Sequence, residues 1–168
     1  MFLRGIIIAI FILAADQLHK YYMLEVVEIQ KQAIYVTSFF NLVMVWNQGI
    51  SFGMFNDNPY SQYIFPILSL VIITILLIWL KRTNVFWHNI GISFIIGGAI
   101  GNNLVDRIRF GAVADFFDFH IMGYHWPAFN IADMAIFLGA LILCLDSIFC
   151  DNYPDSKKNK LDEKEGKK

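Results

Sequence analysis

Long apolar segments separated by short polar ones dominate the chain. The continuous apolar runs are Gly5–Ala15, Ile64–Leu80, Val85–Ile100 and Met134–Cys150. With its flanks, each run approaches the roughly 20 residues that a helix needs to cross the hydrocarbon core of a bilayer. The pattern therefore predicts four membrane-spanning helices, at about residues 4–20, 62–80, 85–106 and 130–150.

The first apolar run resembles a secretory signal peptide, because Arg4 precedes a short apolar region. The run continues into Asp16 and Gln17 without a small-x-small cleavage site, and three further apolar runs follow it. We therefore interpret it as a retained first helix.

Cationic residues are distributed unevenly between the two sides of the predicted bundle. One side has Arg4, Lys81, Arg82 and six lysines after Cys150, and the other has Lys20, Lys31, Arg107 and Arg109. Because cytoplasmic loops are enriched in Lys and Arg, both termini are predicted to be cytoplasmic. Residues 21–61 and 107–129 are then the segments outside the cytoplasm.

The first outer segment has the composition of strands. Ala33–Thr37 and Phe39–Trp46 are rich in β-branched and aromatic residues and are bounded by Asn and Gly. A short antiparallel sheet on the outer membrane face is the simplest interpretation, with a turn at Asn56–Pro59 before the second span. The expected fold is an all-α membrane protein with a small β element, a single domain over residues 1–150 followed by a disordered cytoplasmic tail at 151–168.

Composition excludes the commonest alternatives to a membrane protein. Hydrophobic residues make up 57% of the chain and charged residues 16%, and the mean hydropathy is +0.54, so one small soluble core cannot bury the apolar surplus. The formal net charge of −1 provides no basic field for nucleic acid. Cys144 and Cys150 lie on different helix faces and are interpreted as small hydrophobic residues rather than as a disulfide or metal pair.

Ionisable residues are costly at membrane depth, so their positions indicate where chemistry is to be sought. Asp16 and Lys20 are spaced i,i+4 at the outer end of the first helix, where they form either part of a functional site or a structural ion pair. In Trp46–Gly53, two glycines interrupt a strand-like run. This segment is either a plain turn or a place where Asn47 holds a peptide backbone.

Two aspartates differ from the other carboxylates. Asp115 and Asp133 are flanked by Ala, Val, Phe or Met and have no cation within four residues, whereas Asp106 and Arg107 are interpreted as an interfacial pair that anchors a helix end. If Asp115 and Asp133 meet, repulsion and desolvation make them share one proton near neutral pH, which is the acid and base arrangement of aspartic peptidases. The alternative is that both are structural interfacial carboxylates.

Other catalytic or metal-binding patterns are weaker. His19, His88, His120 and His125 have no nucleophile pattern, and the last two lack further ligands at zinc spacing. We therefore expect neither a metal nor another cofactor.

Two functions other than proteolysis remain open from the residues. In a proton- or ion-coupled transporter the interfacial aspartates would form a relay, but such a protein is expected to place carboxylates along the whole bundle. Only Asp146 is predicted in the cytoplasmic half, near the membrane interface. A structural membrane protein would use the Asn and Asp clusters to join helices, without explaining why the carboxylates collect on one side.

Five short motifs together resemble the lipoprotein signal peptidases, the signal peptidase II family. Asp16–Lys20 resembles D-Q-x-T-K, Trp46–Gly53 contains N-x-G-x-[AS]-F-G, Asn103–Arg107 fits N-x-x-D-R, Gly111–Phe116 fits G-x-V-x-D-F, and Phe129–Asp133 fits F-N-x-A-D. The resemblance extends from the first predicted helix to the fourth.

The resemblance implies a four-helix enzyme of the bacterial inner membrane with an active site near the outer leaflet. Its substrates would be prolipoproteins, cleaved just before a cysteine that carries diacylglycerol, and the peptide antibiotic globomycin would inhibit it. The family's catalytic aspartates correspond to Asp115 and Asp133. The residues expected to bind substrate or support this pair are Asp16, Lys20, Asn47, Gly49, Asn103, Arg107 and Asn130. We expect a monomer in contact with membrane lipids.

Two residues depart from the family pattern. His19 replaces the usual Thr or Ser, which changes the polar wall near Asp16, and Asn102 replaces a Gly that commonly precedes the N-x-x-D-R motif. The second change is expected to alter how tightly the third helix packs. Neither residue belongs to the expected catalytic pair, so activity is expected to persist.

Overall fold

The computed structural model describes residues 1–30, 33–49 and 60–150. Its elements are α1 (Phe2–Gln30), β1 (Ile34–Tyr35), β2 (Phe40–Asn47), α2 (Ser61–Arg82), α3 (Phe86–Ala99), α4 (Arg107–Phe110), β3 (Val113–Ile121), β4 (Tyr124–His125) and α5 (Ile131–Cys150). A π-helical segment, Ile100–Asp106, joins α3 to α4 without a break. The protein is mostly helical with one small antiparallel sheet, as the sequence predicts.

Three helices within the described ranges are long and apolar enough to cross a membrane. They cover Phe2–Val26, Tyr63–Arg82 and Ile131–Phe149. α1 continues past the predicted end of the first span at residue 20, because the following residues include Met, Leu, Glu and Gln, all good helix formers. α3 alone has 14 residues and reaches the length of the predicted third span only together with the π-helical segment.

α3 is the central helix and packs against α1, α2 and α5. Small residues bring it close to α5, since a Cβ atom on Gly91 would lie 2.8 Å from the carbonyl oxygen of Gly139. Leu80, Ile92 and Ile96 form the buried apolar core beside this contact. The tight packing fixes α3 and α5 relative to each other.

The sheet has the order β1-β2-β3-β4, with antiparallel neighbours. β1 and β2 lie in the segment predicted to form strands, so that prediction is confirmed. β3 and β4 come from the second segment between helices, for which no strand was predicted. A shift in register between Leu42 and Val45 marks a bulge in β2, directly beside the part of β3 that contains Asp115.

A second polar cluster lies near the start of α3 and the end of α5. Asp146, expected near a membrane interface, is buried and lies 2.9 Å from His88 Nε2. Asn89 accepts a hydrogen bond from Arg4 Nε over 3.3 Å and donates one to the Met1 carbonyl over 3.2 Å. These contacts tie the N-terminus to α3.

Several sequence predictions lie outside the described residues. These are the turn at Asn56–Pro59, residues 50–53 of the glycine-containing motif, and the tail at 151–168.

Candidate active site

Asp115 is held on β3 by two side-chain amides. Gly111, with a φ of 71°, ends α4 and turns the chain into β3, where Asp115 pairs with Val45 of β2. Its side chain is buried. Asn130 Nδ2 donates to Asp115 Oδ1 over 2.6 Å, and Asn47 Nδ2 donates to Asp115 Oδ2 over 3.3 Å.

Asp133 occupies the first turn of α5. The chain before this helix lies alongside β3, because Phe129 and Phe117 exchange backbone hydrogen bonds of 2.9 and 3.2 Å. The Asn130 backbone N–H donates to Asp133 Oδ2 over 3.1 Å, and the Asp133 N–H donates to Asn130 Oδ1 over 3.0 Å. This reciprocal arrangement is that of a capping box, and it fixes the Asp133 side chain at the helix start.

Asp115 and Asp133 therefore share Asn130, and both line one cavity of about 1300 Å³. Burial, and next the negative charge of Asp133, raise the pKa of Asp115 from its ordinary value of 3.8 to about 7. The hydrogen bonds from Asn47 and Asn130 act in the opposite direction. At neutral pH the Asp115 carboxyl is thus poised between its acid and carboxylate forms.

The rest of the cavity wall is largely apolar. β2 contributes Val43, Val45 and Trp46, and α5 contributes Met134 and Phe137. The last two residues also belong to the exposed surface of the protein. The cavity therefore combines a pair of carboxyl groups with an apolar wall that reaches the outside of α5.

Lys20 forms a buried ion cluster beside the aspartate pair. Its Nζ atom lies 2.9 Å from Asp16 Oδ2 and 2.7 Å from Asp106 Oδ2, and all three side chains are 2% exposed or less. Gln17 Nε2 donates to Asp106 over 2.9 Å and to Asp16 over 3.1 Å. Additional hydrogen bonds of this kind are needed to offset the desolvation of buried charges.

The cluster also contacts the start of α5. Asp16 Oδ1 accepts a hydrogen bond of 3.0 Å from the Ala132 backbone N–H. Gly101 in the π-helical segment permits this arrangement, because a Cβ atom there would lie 2.6 Å from Asp16 Oδ2. Lys20 Nζ donates to Asn102 Oδ1 over 2.6 Å, and Asn102 Nδ2 donates to Asp133 Oδ1 over 2.8 Å.

Arg107 is the first residue of α4, directly after the π-helical segment, and binds backbone carbonyls. Its guanidinium donates to the carbonyl oxygen of Gln48, over 3.0 Å, and to that of Gly49. The Nε atom donates to Asn103 Oδ1 over 3.4 Å, and the guanidinium lies 4.7 Å from the Phe65 ring centroid. Arg107 thereby fixes the chain that follows Asn47.

Comparison with known proteins identifies the family of this chain. Residues 8–149 match the sequence model of the family described as Signal peptidase (SPase) II. The chain belongs to the signal peptidase II family.

Curated relatives agree with this assignment. The lipoprotein signal peptidase of Anaplasma phagocytophilum (strain HZ) is 44% identical over 138 residues, which cover 82% of this chain and 87% of the relative. That of Rhodopseudomonas palustris (strain TIE-1) is 43% identical over 150 residues, which cover 86% and 91%. The resemblance inferred from the five motifs is confirmed, and the chain has signal peptidase II function in the bacterial inner membrane.

A solved structure has the same fold. It is a bacterial membrane enzyme determined by the in meso method at 2.3 Å resolution, with a TM-score of 0.74 and 28% identity to this chain. The similarity covers 90% of this chain and 92% of the other. The helical membrane fold with its small sheet is therefore shared with a bacterial membrane enzyme.

The nine predicted site residues of this signal peptidase II fall into three adjoining groups. Asp115, Asp133, Asn47 and Asn130 form the aspartate pair and its amide partners, Asp16 and Lys20 belong to the ion cluster, and Asn103, Arg107 and Gly49 form the arginine contact. One predicted pairing is wrong, because the salt-bridge partner of Asp106 is Lys20 rather than Arg107. Adjacent residues on a helix point in different directions, which separates Asp106 from Arg107.

Sequence reasoning missed two residues that contact the buried carboxylates. Gln17 and Asn102 were not predicted as site residues, although both hydrogen-bond to buried carboxylates. Each is a polar side chain within an apolar helical segment, and this pattern could have marked it as a candidate. The neighbouring sequence, however, does not indicate which residue it contacts. His19 lies against the rings of Phe116 and Phe117, with centroid separations of 5.9 and 5.1 Å.

Proposed function

We propose that this signal peptidase II is an aspartic endopeptidase that removes the signal peptide from diacylglyceryl-modified prolipoproteins, cleaving just before the lipidated cysteine. The observation that carries the proposal is that Asp115 and Asp133 line one cavity and are both held by Asn130. The relatives named lipoprotein signal peptidase support the substrate class.

The pair can perform peptide hydrolysis without a metal ion. One carboxylate takes a proton from a water molecule as its oxygen attacks the scissile carbonyl carbon. The other carboxyl group, still protonated, donates to the carbonyl oxygen. The raised pKa of Asp115 supports this division, because it keeps an acidic proton available near neutral pH.

The remaining site residues are proposed to position substrate or support the pair. Asn47 lines the cavity, where it can hold the peptide backbone as well as Asp115. Gly49 presents its carbonyl to Arg107, which fixes the nearby backbone. The supporting residues proposed to orient the two aspartates and their surroundings are Asp16, Lys20, Asn103, Arg107 and Asn130.

A lipid-modified substrate suits the wall of the cavity. Met134 and Phe137 line it and are also exposed on α5, a helix apolar enough to cross the bilayer. Acyl chains can therefore approach the site from the membrane while contacting apolar side chains throughout.

We further propose four membrane spans, with α3 and the π-helical segment together forming the third. Both termini are then cytoplasmic, the sheet lies outside the cytoplasm, and the aspartate pair lies near the outer leaflet. Lys81 and Arg82 at the end of α2 support this orientation. The chain acts as one monomeric peptidase domain over residues 1–150, in contact with membrane lipids, with a cytoplasmic tail at 151–168. A transporter function is not supported, since the family is one of peptidases.

The decisive experiment compares single aspartate variants in detergent on one diacylglyceryl-modified peptide. Asp115→Asn and Asp133→Asn are each expected to fold and to unfold cooperatively, and to lower kcat at least about 10³-fold, the scale of a lost acid or base. Asp146→Asn is the matched control, because it replaces a buried carboxylate remote from the cavity. If both aspartate variants fold and cleave the peptide at the parental rate, the aspartic mechanism is rejected.

Two additions to the same assay separate the mechanism from its alternatives. Activity is expected to persist in excess EDTA, and recovery by zinc of an EDTA-inactivated enzyme would contradict the proposal. Globomycin is expected to inhibit cleavage. Ion flux in proteoliposomes without any peptide cleavage would favour a transporter instead.

A further inference from the structure

Asn102 connects the buried cation of the site to one member of the aspartate pair. Its Oδ1 atom accepts from Lys20 Nζ over 2.6 Å, and its Nδ2 atom donates to Asp133 Oδ1 over 2.8 Å. The side chain is 4% exposed, so water competes little for either contact. Asn102 lies in the π-helical segment, a conformation that occurs frequently at functional sites.

The contacts of Asp133 favour its carboxylate form. Both oxygens accept hydrogen bonds, Oδ1 from Asn102 and Oδ2 from the backbone N–H of Asn130. The side chain also lies at the N-terminus of α5, where the unpaired N–H groups favour a negative charge. Donors directed at both oxygens stabilise an ionised carboxylate more than a neutral acid.

The charges around Asp133 do not by themselves decide its state. Lys20 is the nearby cation, while Asp16, Asp106 and Asp115 are the nearby anions. Because Asp16 and Asp106 both pair with Lys20, the ammonium is largely neutralised at that side of the cluster. The directed hydrogen bond from Asn102, polarised by its own contact with Lys20, is therefore the side-chain contact that stabilises the Asp133 carboxylate, beside the backbone N–H of Asn130.

The contacts of Asp115 suit a protonated carboxyl group once the side-chain amide of Asn47 is rotated. Asn47 Oδ1 is buried and has no hydrogen-bond partner among the described residues, while Asn47 Nδ2 makes only a long contact of 3.3 Å with Asp115 Oδ2. Rotation of this amide by half a turn exchanges its nitrogen and oxygen. The rotated oxygen then accepts a hydrogen bond from the protonated Oδ2 of Asp115, and Asn130 continues to donate to Oδ1.

We propose that Asn102 is a positioning residue that holds Asp133 in its proton-accepting form and so leaves the shared proton of the pair on Asp115. This assignment rests on the proposed aspartic peptidase function. It adds which aspartate begins the reaction as the acid, Asp115, and which as the base, Asp133. Asn102 acts through Asp133 and does not itself contact the substrate.

The assignment determines which group donates and which group accepts each proton in the reaction. Asp133 takes a proton from water as the water oxygen bonds to the scissile carbonyl carbon, and Asp115 protonates the carbonyl oxygen. In the second step the C–N bond breaks, Asp133 gives its proton to the leaving amine, and a hydroxyl of the tetrahedral intermediate returns a proton to Asp115. The pair ends in its starting state.

The test is the pH profile of kcat for Asn102→Leu, which keeps the side-chain volume and removes the amide. We expect kcat to fall about 10- to 100-fold at neutral pH with KM unchanged, the scale of a lost hydrogen bond to a charged group. The acid limb of the profile should move to higher pH, because Asp133 then binds a proton more readily. The alkaline limb, which reports Asp115, should move less.

Two further variants keep the test decisive. Asn89→Leu removes another buried amide from α3, the helix that leads into the π-helical segment. Asn89 is remote from the cavity, so this variant should lower thermal stability without moving either limb. If Asn102→Leu does not fold, Asn102→Ser replaces it, since the shorter hydroxyl cannot bridge Lys20 and Asp133.

The outcomes separate this inference from the function on which it rests. Provided that Asp115→Asn and Asp133→Asn are inactive, two results for an Asn102 variant overturn the inference. One is a pH profile of kcat that differs from the parental profile only by a constant factor, and the other is a change in KM alone. If those two variants are active, the aspartic mechanism itself fails.

Discussion

Asn130 donates its side-chain amide to Asp115 over 2.6 Å, across the junction between β3 and α5. The same residue exchanges two backbone and side-chain hydrogen bonds with Asp133. One asparagine thereby sets the placement of both carboxyl groups at the cavity. Asn130 is fully buried, and its contacts tie the start of α5 to β3 at the position of the pair.

The first prediction concerns the dependence of activity on pH. Asp115 has a pKa raised to about 7, so the protonated form required for general acid catalysis is lost as the pH rises above neutrality. We expect kcat to decline about tenfold for each pH unit well above 7. The measurement is a kcat profile between pH 5 and 9 on a lipid-modified peptide whose own groups do not titrate there.

Asp146→Asn is the control for that profile, because it removes a buried carboxylate that does not line the cavity. Its alkaline limb should coincide with that of the parent. A parental kcat that stays constant up to pH 9 would contradict the assigned role of Asp115.

The second prediction concerns stability. The pKa of Asp115 is higher in the folded protein, at about 7, than its ordinary value of 3.8, so folding binds a proton between these two pH values. The contribution of Asp115 to stability is therefore full below pH 3.8 and is lost as the pH rises towards 7. Asp115→Asn removes this dependence, and its stability relative to the parent should increase by roughly 4 kcal/mol between pH 4 and 8.

Thermal unfolding in detergent at several pH values measures that difference. Glu25→Gln, which replaces an exposed carboxylate of α1, should show a constant offset from the parent. A difference between Asp115→Asn and the parent that does not change with pH would show that the pKa of Asp115 is the same in the folded and unfolded protein.

The third prediction concerns the ion cluster. Lys20→Met leaves Asp16 and Asp106 buried without a cation, and such a loss costs on the order of 3–5 kcal/mol. We expect a marked fall in the thermal unfolding temperature. Combining Lys20→Met with Asp16→Asn and Asp106→Asn should recover much of the loss, because the variant then contains no uncompensated charge in the cluster.

Lys81→Met provides the comparison for a lysine on the surface. Lys81 is exposed near the end of α2, so its replacement should change stability by less than about 0.5 kcal/mol. If Lys20→Met is as stable as Lys81→Met, the cluster contributes nothing to the folded state.

Much of the fold could be predicted from local patterns. Apolar runs identify membrane helices because the hydrocarbon core requires a minimum length of apolar chain, and the strand composition of residues 33–46 indicates β1 and β2. The strand β3 was not predicted, since its stability depends on pairing with β2, about 70 residues earlier in the chain.

The candidate site likewise has features that follow from the local sequence and features that depend on tertiary contacts. By itself the sequence determined the apolar helices, the family and the candidate aspartates Asp115 and Asp133, because spacing and short motifs are local properties of the chain. Only the tertiary structure decided that Asp106 pairs with Lys20 and that Asn102 contacts Asp133. Those partners are separated by 86 and 31 positions, and only the packing of α1, the π-helical segment and α5 brings them within hydrogen-bond distance.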